Sequence, residues 1–292
     1  MNRLPWILVS NNAGSREARS RIESATVLGV DTEYDSFRYF REKLCLIQVS
    51  TDSVVFLFDP FEESDFGFLG DVFQNPDVIK VLHACDNDVR ILHRDYGFTF
   101  SSLFDTQRAA SLLGSEALSL SAVLLEYLNF ELPKSKKIQR SRWDLRPLEE
   151  EQLEYAARDA GVLVPLYRVM TRLLEDRGLA DEVQRISSEI AGGRWREKTL
   201  SKHGYMKIEG YEDLDEAARR RLKILYRWRF EKAQSTNKAR FMILSDQALL
   251  DIARRGDEFV ADPAAVNVLT HHQLSELGDE LLDVLRDAVD TD

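Results

Sequence analysis

The chain has 292 residues, of which 44% are hydrophobic and 30% charged, with a net charge of −11, a composition that fits a globular protein of one or two domains and excludes disordered and fibrous classes. No segment approaches the roughly 20 apolar residues of a membrane span. The opening MNRLPWILVSNNAG has neither the apolar length nor the small-residue cleavage site of a signal peptide, so the chain is read as cytoplasmic, with no membrane partner. Its two cysteines, Cys45 and Cys85, form no CxxC pair and no zinc spacing and are read as half-buried thiols.

In chain order, VLGVD (27–31), LCLIQVS (44–50) and VVFLFDP (54–60) are predicted strands, the last two joined as a hairpin across Thr51-Asp52-Ser53. VIKVLHA (78–84) is a further strand running into a helix, DNDVRILHRDYG, that Gly97 stops. In LFDTQRAASLLG, Asp105 caps a helix over 106–113. From Leu118 the pattern is helical, broken by the basic stretch LPKSKKIQRSRW and resumed near Pro147 in a long helix carrying Tyr155 and Asp159. Strands, then strand–helix alternation, then helices alone imply a mixed-sheet α/β domain over 1–190. A linker over 191–214 is marked by Gly192-Gly193, Gly204 and Gly210, and an all-α domain follows over 215–290, with Leu222, Leu225, Trp228, Leu249 and Ile252 at helical spacing.

A negative chain is a poor partner for phosphate backbones unless its charge is segregated, and here it is. From Lys134 to Arg146 there are six bases against one acid; from Arg194 to Arg240 there are fourteen against seven; from 241 to 292 there are three bases and twelve acids. Lys134, Lys136, Lys137 and Arg140 are the candidate nucleic-acid contacts, with a solvated helix face as the alternative for the run Arg219-Arg220-Arg221.

Asp31 and Glu33 stand two apart at the end of a predicted strand, so both carboxylates project from one face. Like charges that close repel unless a proton or a cation relieves them. A solvated strand end, a helix cap, a glycosidase-like acid pair and a divalent-metal site all accommodate the pair taken alone. Asp88 lies at the start of the helix after the predicted strand 78–84, and Tyr155 and Asp159 lie four apart on a helix, hence on one face.

This ordered series, DTE, then HACDND, then YAARD, resembles the motifs of the DEDD superfamily of 3′→5′ exonucleases in its tyrosine-bearing branch, and is most similar to the ribonuclease D family. The first motif falls on Asp31 and Glu33, the second on Asp88 and the third on Tyr155 and Asp159. KSKKIQRSRWDLRPL resembles the family's segment before the third motif, with Arg142 where an acid is usual. The stretch from Leu222 to Ala253 resembles the opening of an HRDC domain, although RRGDEF replaces a segment where proline is common.

The resemblance implies a ribonuclease H-like mixed-sheet exonuclease domain followed by a small HRDC-like helical domain. It implies two divalent ions, Mg²⁺ or Mn²⁺. Asp31 would bridge them, Glu33 and Asp159 would complete the site that activates water, Asp88 would hold the second ion, and Tyr155 would orient that water. The implied substrates are RNA 3′ ends, with tRNA precursors, short oligoribonucleotides and single-stranded DNA as variants of the same chemistry. A non-catalytic nucleic-acid-binding scaffold is the rival from another class. Asp105 is read as a cap, His83 as a packed hydrogen-bonding residue, Asp35, Asp86 and Glu62-Glu63 as solvated loop charges, and His271-His272 as an exposed turn or helix start.

Overall fold

The computed structural model describes residues 4–62, 65–133 and 135–287. Its elements run β1 (Trp6–Val9), α1 (Asn12–Glu23), β2 (Val27–Asp35), β3 (Lys43–Ser50), β4 (Val55–Phe58), α2 (Phe68–Gln74), β5 (Ile79–Leu82), α3 (Asp86–Tyr96), β6 (Leu103–Asp105), α4 (Thr106–Leu113), α5 (Leu120–Leu128), α6 (Lys136–Gln139), α7 (Glu150–Gly161), α8 (Leu163–Asp176) and α9 (Ala180–Ala191). Two short 3₁₀ turns follow, then α10 (Glu216–Thr236), α11 (Arg240–Ile243), α12 (Asp246–Arg254), α13 (Gly256–Ala261) and α14 (His271–Asp287).

Contacts divide the chain into two compact units, and the division is not contiguous: Ser36–Glu42, between β2 and β3, belongs with residues from Glu197 onward. The first unit is built on a six-stranded sheet in the order β1-β4-β3-β2-β5-β6. β3 runs antiparallel to both β2 and β4, whereas β1 pairs parallel to β4, and β2, β5 and β6 are mutually parallel neighbours. The predicted hairpin across Thr51-Asp52-Ser53 is therefore present. β1, α1 and α2 have no counterpart in the local sequence pattern; each is made regular by a neighbouring strand or the sheet face it covers, and local pattern alone carries little of that.

Alternation along the strands separates two faces. Leu28, Val30, Ile47, Val49, Phe56 and Phe58 point into one core with the apolar side of α1 to α3. Leu46, Val55 and Leu57 meet Leu153, Ala156 and Ala160 of α7 on the other, while Val81 and Phe104 meet α4, α5 and α8. Each of the fully buried Val, Leu, Ile and Phe side chains among these contributes about 1.5–3 kcal/mol relative to exposure.

Gly29 sets how closely α7 can approach. A Cβ there would lie 2.4 Å from the Ser50 hydroxyl and 2.7 Å from the Ala160 carbonyl oxygen, and the Ser50 hydroxyl donates to that same carbonyl at 2.8 Å. Gly97 ends α3 with a left-handed φ of 70°, as its position after the helix predicts. Asp105 caps α4 by accepting from the Gln107 and Arg108 amides.

The second unit has its own core, in which Leu222, Leu225, Tyr226 and Phe230 of α10 pack with Leu249, Leu250 and Ile252 of α12, and with Phe40. Arg229, almost fully buried, donates through its two terminal nitrogens to the Leu244 carbonyl at 2.8 Å and to Asp246 at 2.6 Å. Among the described residues no helix is long and apolar enough to cross a membrane.

Candidate active site

β2 carries Asp31 and Glu33 toward the face covered by α7. The register pairs Asp31 with Gln48 and Glu33 with Leu46, then shifts by a residue between Glu33 and Tyr34, a bulge of the kind that re-aims side chains at a strand end. Asp88 lies in the first turn of α3, where the helix N-terminus favours negative charge. Tyr155 and Asp159 lie one turn apart on α7. That helix is started by a capping box in which Gln152 and Glu149 satisfy each other's backbone amides.

The four carboxylates sense one another. Burial pushes the Asp31 carboxyl well above the usual range, and the charges of Asp88 and Asp159 push it further. Glu33 is raised by burial first and then by Asp31, Asp159 and Asp88. Asp88 is pushed up to about 6 by burial, against the hydrogen bond that Thr32 donates to it. Asp159 is likewise pushed up to about 6 by burial, against a hydrogen bond from Tyr155 and the nearby charge of Arg158. The Tyr155 hydroxyl moves far above its usual range, through burial and then the charges of Asp159 and Glu33.

Within the described residues no three acids, histidines or cysteines close on one point tightly enough to hold a metal as they stand. The donor set nonetheless suits hard divalent cations: four carboxylates on three elements, all raised by burial and two of them, Asp31 and Glu33, also by charges of the other acids of the set, would be relieved by oxygen-seeking positive charge.

The basic loop has a more divided role than its charge count suggests. Lys136, Lys137 and Arg140 are exposed on and just after α6; Lys134 lies outside the described residues. Arg146 is instead drawn into the fold, paired with Asp59 and donating to the Cys45 carbonyl at 2.7 Å. Arg142, in the position where the family usually has an acid, forms a two-pronged pair with Asp144 at 2.7 and 2.9 Å. Trp143 is buried, with its ring 6.2 Å from that of Tyr155.

Two residues near the acids escaped the motif reading. Thr32, between Asp31 and Glu33 in sequence, donates its hydroxyl to Asp88. Gln48, opposite Asp31 in the sheet, is 0% exposed, and neither atom of its side-chain amide has a hydrogen-bond partner among the described residues. A glutamine inside the apolar run LCLIQVS was a visible signal, since buried amides need partners.

Several expected loop charges are corrected. Asp35 is buried, at the end of β2, and Asp86 begins α3 and pairs with Arg108 at 3.2 Å; Glu63 lies outside the described residues. Both cysteines are fully buried rather than half-buried. His83 is hydrogen-bonded as expected, to the Thr106 hydroxyl and the Leu118 carbonyl. His271 begins α14.

Residues 6–175 match the family model described as 3′-5′ exonuclease, and residues 218–285 match the HRDC domain. The chain is 30% identical over 262 residues to ribonuclease D of Pseudomonas paraeruginosa, covering 89% of this chain and 69% of that one. It is 29% identical over 245 residues to the exosome complex component 10 homolog of Drosophila melanogaster, covering 82% of this chain and 27% of that protein. The chain thus spans about a quarter to a third of the exosome component and RRP6-like relatives. Its fold is similar to the catalytic core of RRP6 from Trypanosoma brucei, with a TM-score of 0.88 at 23% identity over 99% of this chain and 80% of the other.

Proposed function

The chain belongs to the 3′-5′ exonuclease family, in its ribonuclease D group and with an HRDC domain behind the exonuclease domain, and from that premise we propose that it is a metal-dependent exoribonuclease that hydrolyses RNA phosphodiesters from the 3′ end. The observation that carries this reading is the four-acid cluster of Asp31, Glu33, Asp88 and Asp159, whose carboxyls are all raised by burial and, for Asp31 and Glu33, by one another.

Those four carboxylates would hold two divalent ions, Mg²⁺ or Mn²⁺. Bound there, the ions supply positive charge for the attacking and leaving oxygens of an in-line displacement. Each side chain then has a separable task. Asp31 and Glu33 present their oxygens side by side from one strand face, while Asp88 is held in place by Thr32. Tyr155 donates its hydrogen to Asp159 and is far too weak an acid to give it up near neutral pH, so it orients an attacking water instead of taking its proton. Lys136, Lys137 and Arg140 are exposed and would meet phosphates of the incoming strand; we extend the same role to Lys134. Buried thiols at Cys45 and Cys85 suit a reducing cytoplasm.

Incubating the chain with end-labelled RNA, matched DNA and di- to pentanucleotides, with and without Mg²⁺ and Mn²⁺, tests this reading. Stepwise shortening of RNA from its 3′ end, abolished by a chelator, is the expected result. Binding without cleavage under every condition would return the chain to the scaffold class, and chelator-resistant hydrolysis would remove the metal assignment.

A further inference from the structure

The turn that launches α3 toward Asp88 is fixed from outside its own sequence. The cap residue of α3 is Cys85, whose side chain gives the helix no capping bond among the described residues, and the residue before it, Ala84, stands in the left-handed region at φ 55°. A non-glycine residue keeps that conformation only where its surroundings impose it. Here they are the carboxylate of Asp105, which is 0% exposed. Its Oδ1 accepts from the Ala84 amide at 3.2 Å and its Oδ2 from the Cys85 amide at 2.9 Å, with the Cys85 thiol donating to Oδ2 at 3.3 Å. Thr106 continues the clasp, donating its hydroxyl to the Leu82 carbonyl at 3.0 Å and hydrogen-bonding with the His83 ring at 2.8 Å. Residues 82 to 85 are thus all tied to 105 and 106.

Asp105 also caps α4, but capping does not call for a carboxylate. The Gln107 and Arg108 amides both donate to Oδ1, and a neutral serine or asparagine would accept from them as well. The second oxygen serves Cys85. An acid in this place works against ionisation of its neighbour, since burial first, and then the charges of Asp105 and Asp86, raise the Asp88 carboxyl. A buried charge set against Asp88 is accounted for when its geometry serves Asp88. The Cys85 carbonyl accepts from the Val89 amide at 3.1 Å, so the Cys85 residue held by Asp105 sets the first turn of α3, in which Asp88 lies. Thr32 then holds the Asp88 side chain from β2.

We propose that Asp105 is a positioning residue for Asp88: its Oδ2, by fixing the Cys85 amide, sets the first turn of α3 in advance, so that Asp88 presents its carboxylate to a divalent ion without rearrangement of the turn. Such preorganisation matters because a small misplacement of a reacting or ligating group is costly to rate even when it starts far from the chemistry. The inference rests on the metal-dependent reading for what Asp88 holds; the clasp of residues 82–85 by Asp105 and Thr106 does not.

Asp105→Asn in the full chain separates the two tasks, because its oxygen can still cap α4 while its amide nitrogen cannot accept from Cys85. Well below its melting transition and at saturating Mn²⁺, the variant should turn over RNA more slowly by on the order of 10–100-fold, with KM for RNA within a few-fold of wild type and calorimetric Mn²⁺ affinity weakened by about ten-fold. A capping role alone would move the melting temperature and none of these readings. Asp105→Ser, which has one oxygen and caps helices as well, is read in the same way if the asparagine variant melts too low. The wild-type chain gives a reading independent of substitution. Amide exchange at residues 84–89 should differ little between chelator and Mg²⁺, because the turn is set before the ion arrives; protection that rises about ten-fold or more with Mg²⁺ would show that the ion orders the turn, and would overturn the proposal. If the wild-type chain binds Mn²⁺ and cleaves RNA and the folded variant does both equally well, the positioning inference falls alone. If the wild-type chain binds no Mn²⁺ and cleaves no RNA, the metal-dependent reading falls with it.

Discussion

Tyr155 donates its phenolic hydrogen to the carboxylate of Asp159 one turn further along α7. The bond lowers the Asp159 carboxyl against burial and raises the tyrosine hydroxyl, so at neutral pH the pair is a neutral donor against an acceptor. Tyr155→Phe removes the oxygen and keeps the ring beside Trp143. Turnover should fall by on the order of 10²-fold, while divalent-ion binding measured by calorimetry stays within a few-fold of wild type. Metal binding lost together with activity would make Tyr155 a structural residue.

The four acids also set a pH dependence of stability. Their folded-state values are raised, to about 6 for Asp88 and Asp159, above an unfolded value near 4. The folded chain therefore binds more protons than the unfolded chain across that window. Stability of the metal-free protein should fall as pH rises from about 4 through 6, and stay lower above it. Asp31→Asn removes one of the mutually repelling charges. In chelator it should melt at a higher temperature than wild type at pH 7.5, with little difference at pH 4. Added Mn²⁺ should reverse the order, because the variant has lost a ligand. Equal melting curves in chelator at pH 7.5 would mean that the acids do not strain the fold.

Gln48 tests how the sheet supports the acids. Its amide is fully buried and unpartnered among the described residues, opposite Asp31, and such a group costs about 1–3 kcal/mol. Gln48→Leu should raise the stability of the metal-free chain by about 1 kcal/mol and lower turnover at saturating metal, since the polar side chain opposite Asp31 in the sheet is gone. A less stable variant of normal activity would show that the amide has a packing role only.

Lys136→Glu with Lys137→Glu reverses two exposed charges of the basic loop. RNA affinity should drop for every substrate length, and the slope of log K against log salt should shrink by about 0.7 for each lost phosphate contact. Filter binding at three salt concentrations reads this directly; an unchanged slope would assign the lysines to solubility.

Much of this site was legible because its geometry is local. Asp31 and Glu33 share a strand face by their spacing of two, Tyr155 and Asp159 share a helix face by their spacing of four, and Gly97 and Asp105 sit where a helix must stop and start. What could not be read depends on chain crossings. The Thr32–Asp88 hydrogen bond joins residues 56 apart in sequence, the Asp31–Gln48 pairing depends on sheet register, and Arg146 left the basic patch because Asp59 lies opposite it. The membership of Ser36–Glu42 in the helical unit has no local signature either, since the stretch reads as a connection between two strands.

The measurement that bears most directly on the account is digestion of a 5′-labelled single-stranded RNA with a free or a blocked 3′ end, by the wild-type chain and by Asp31→Asn, in Mn²⁺ and in chelator. The account predicts a ladder of products shortened one nucleotide at a time, formed only from the free 3′ end, only with the metal, and only by the wild-type chain. Undiminished cleavage by Asp31→Asn, or an equal ladder from the blocked RNA, would contradict it.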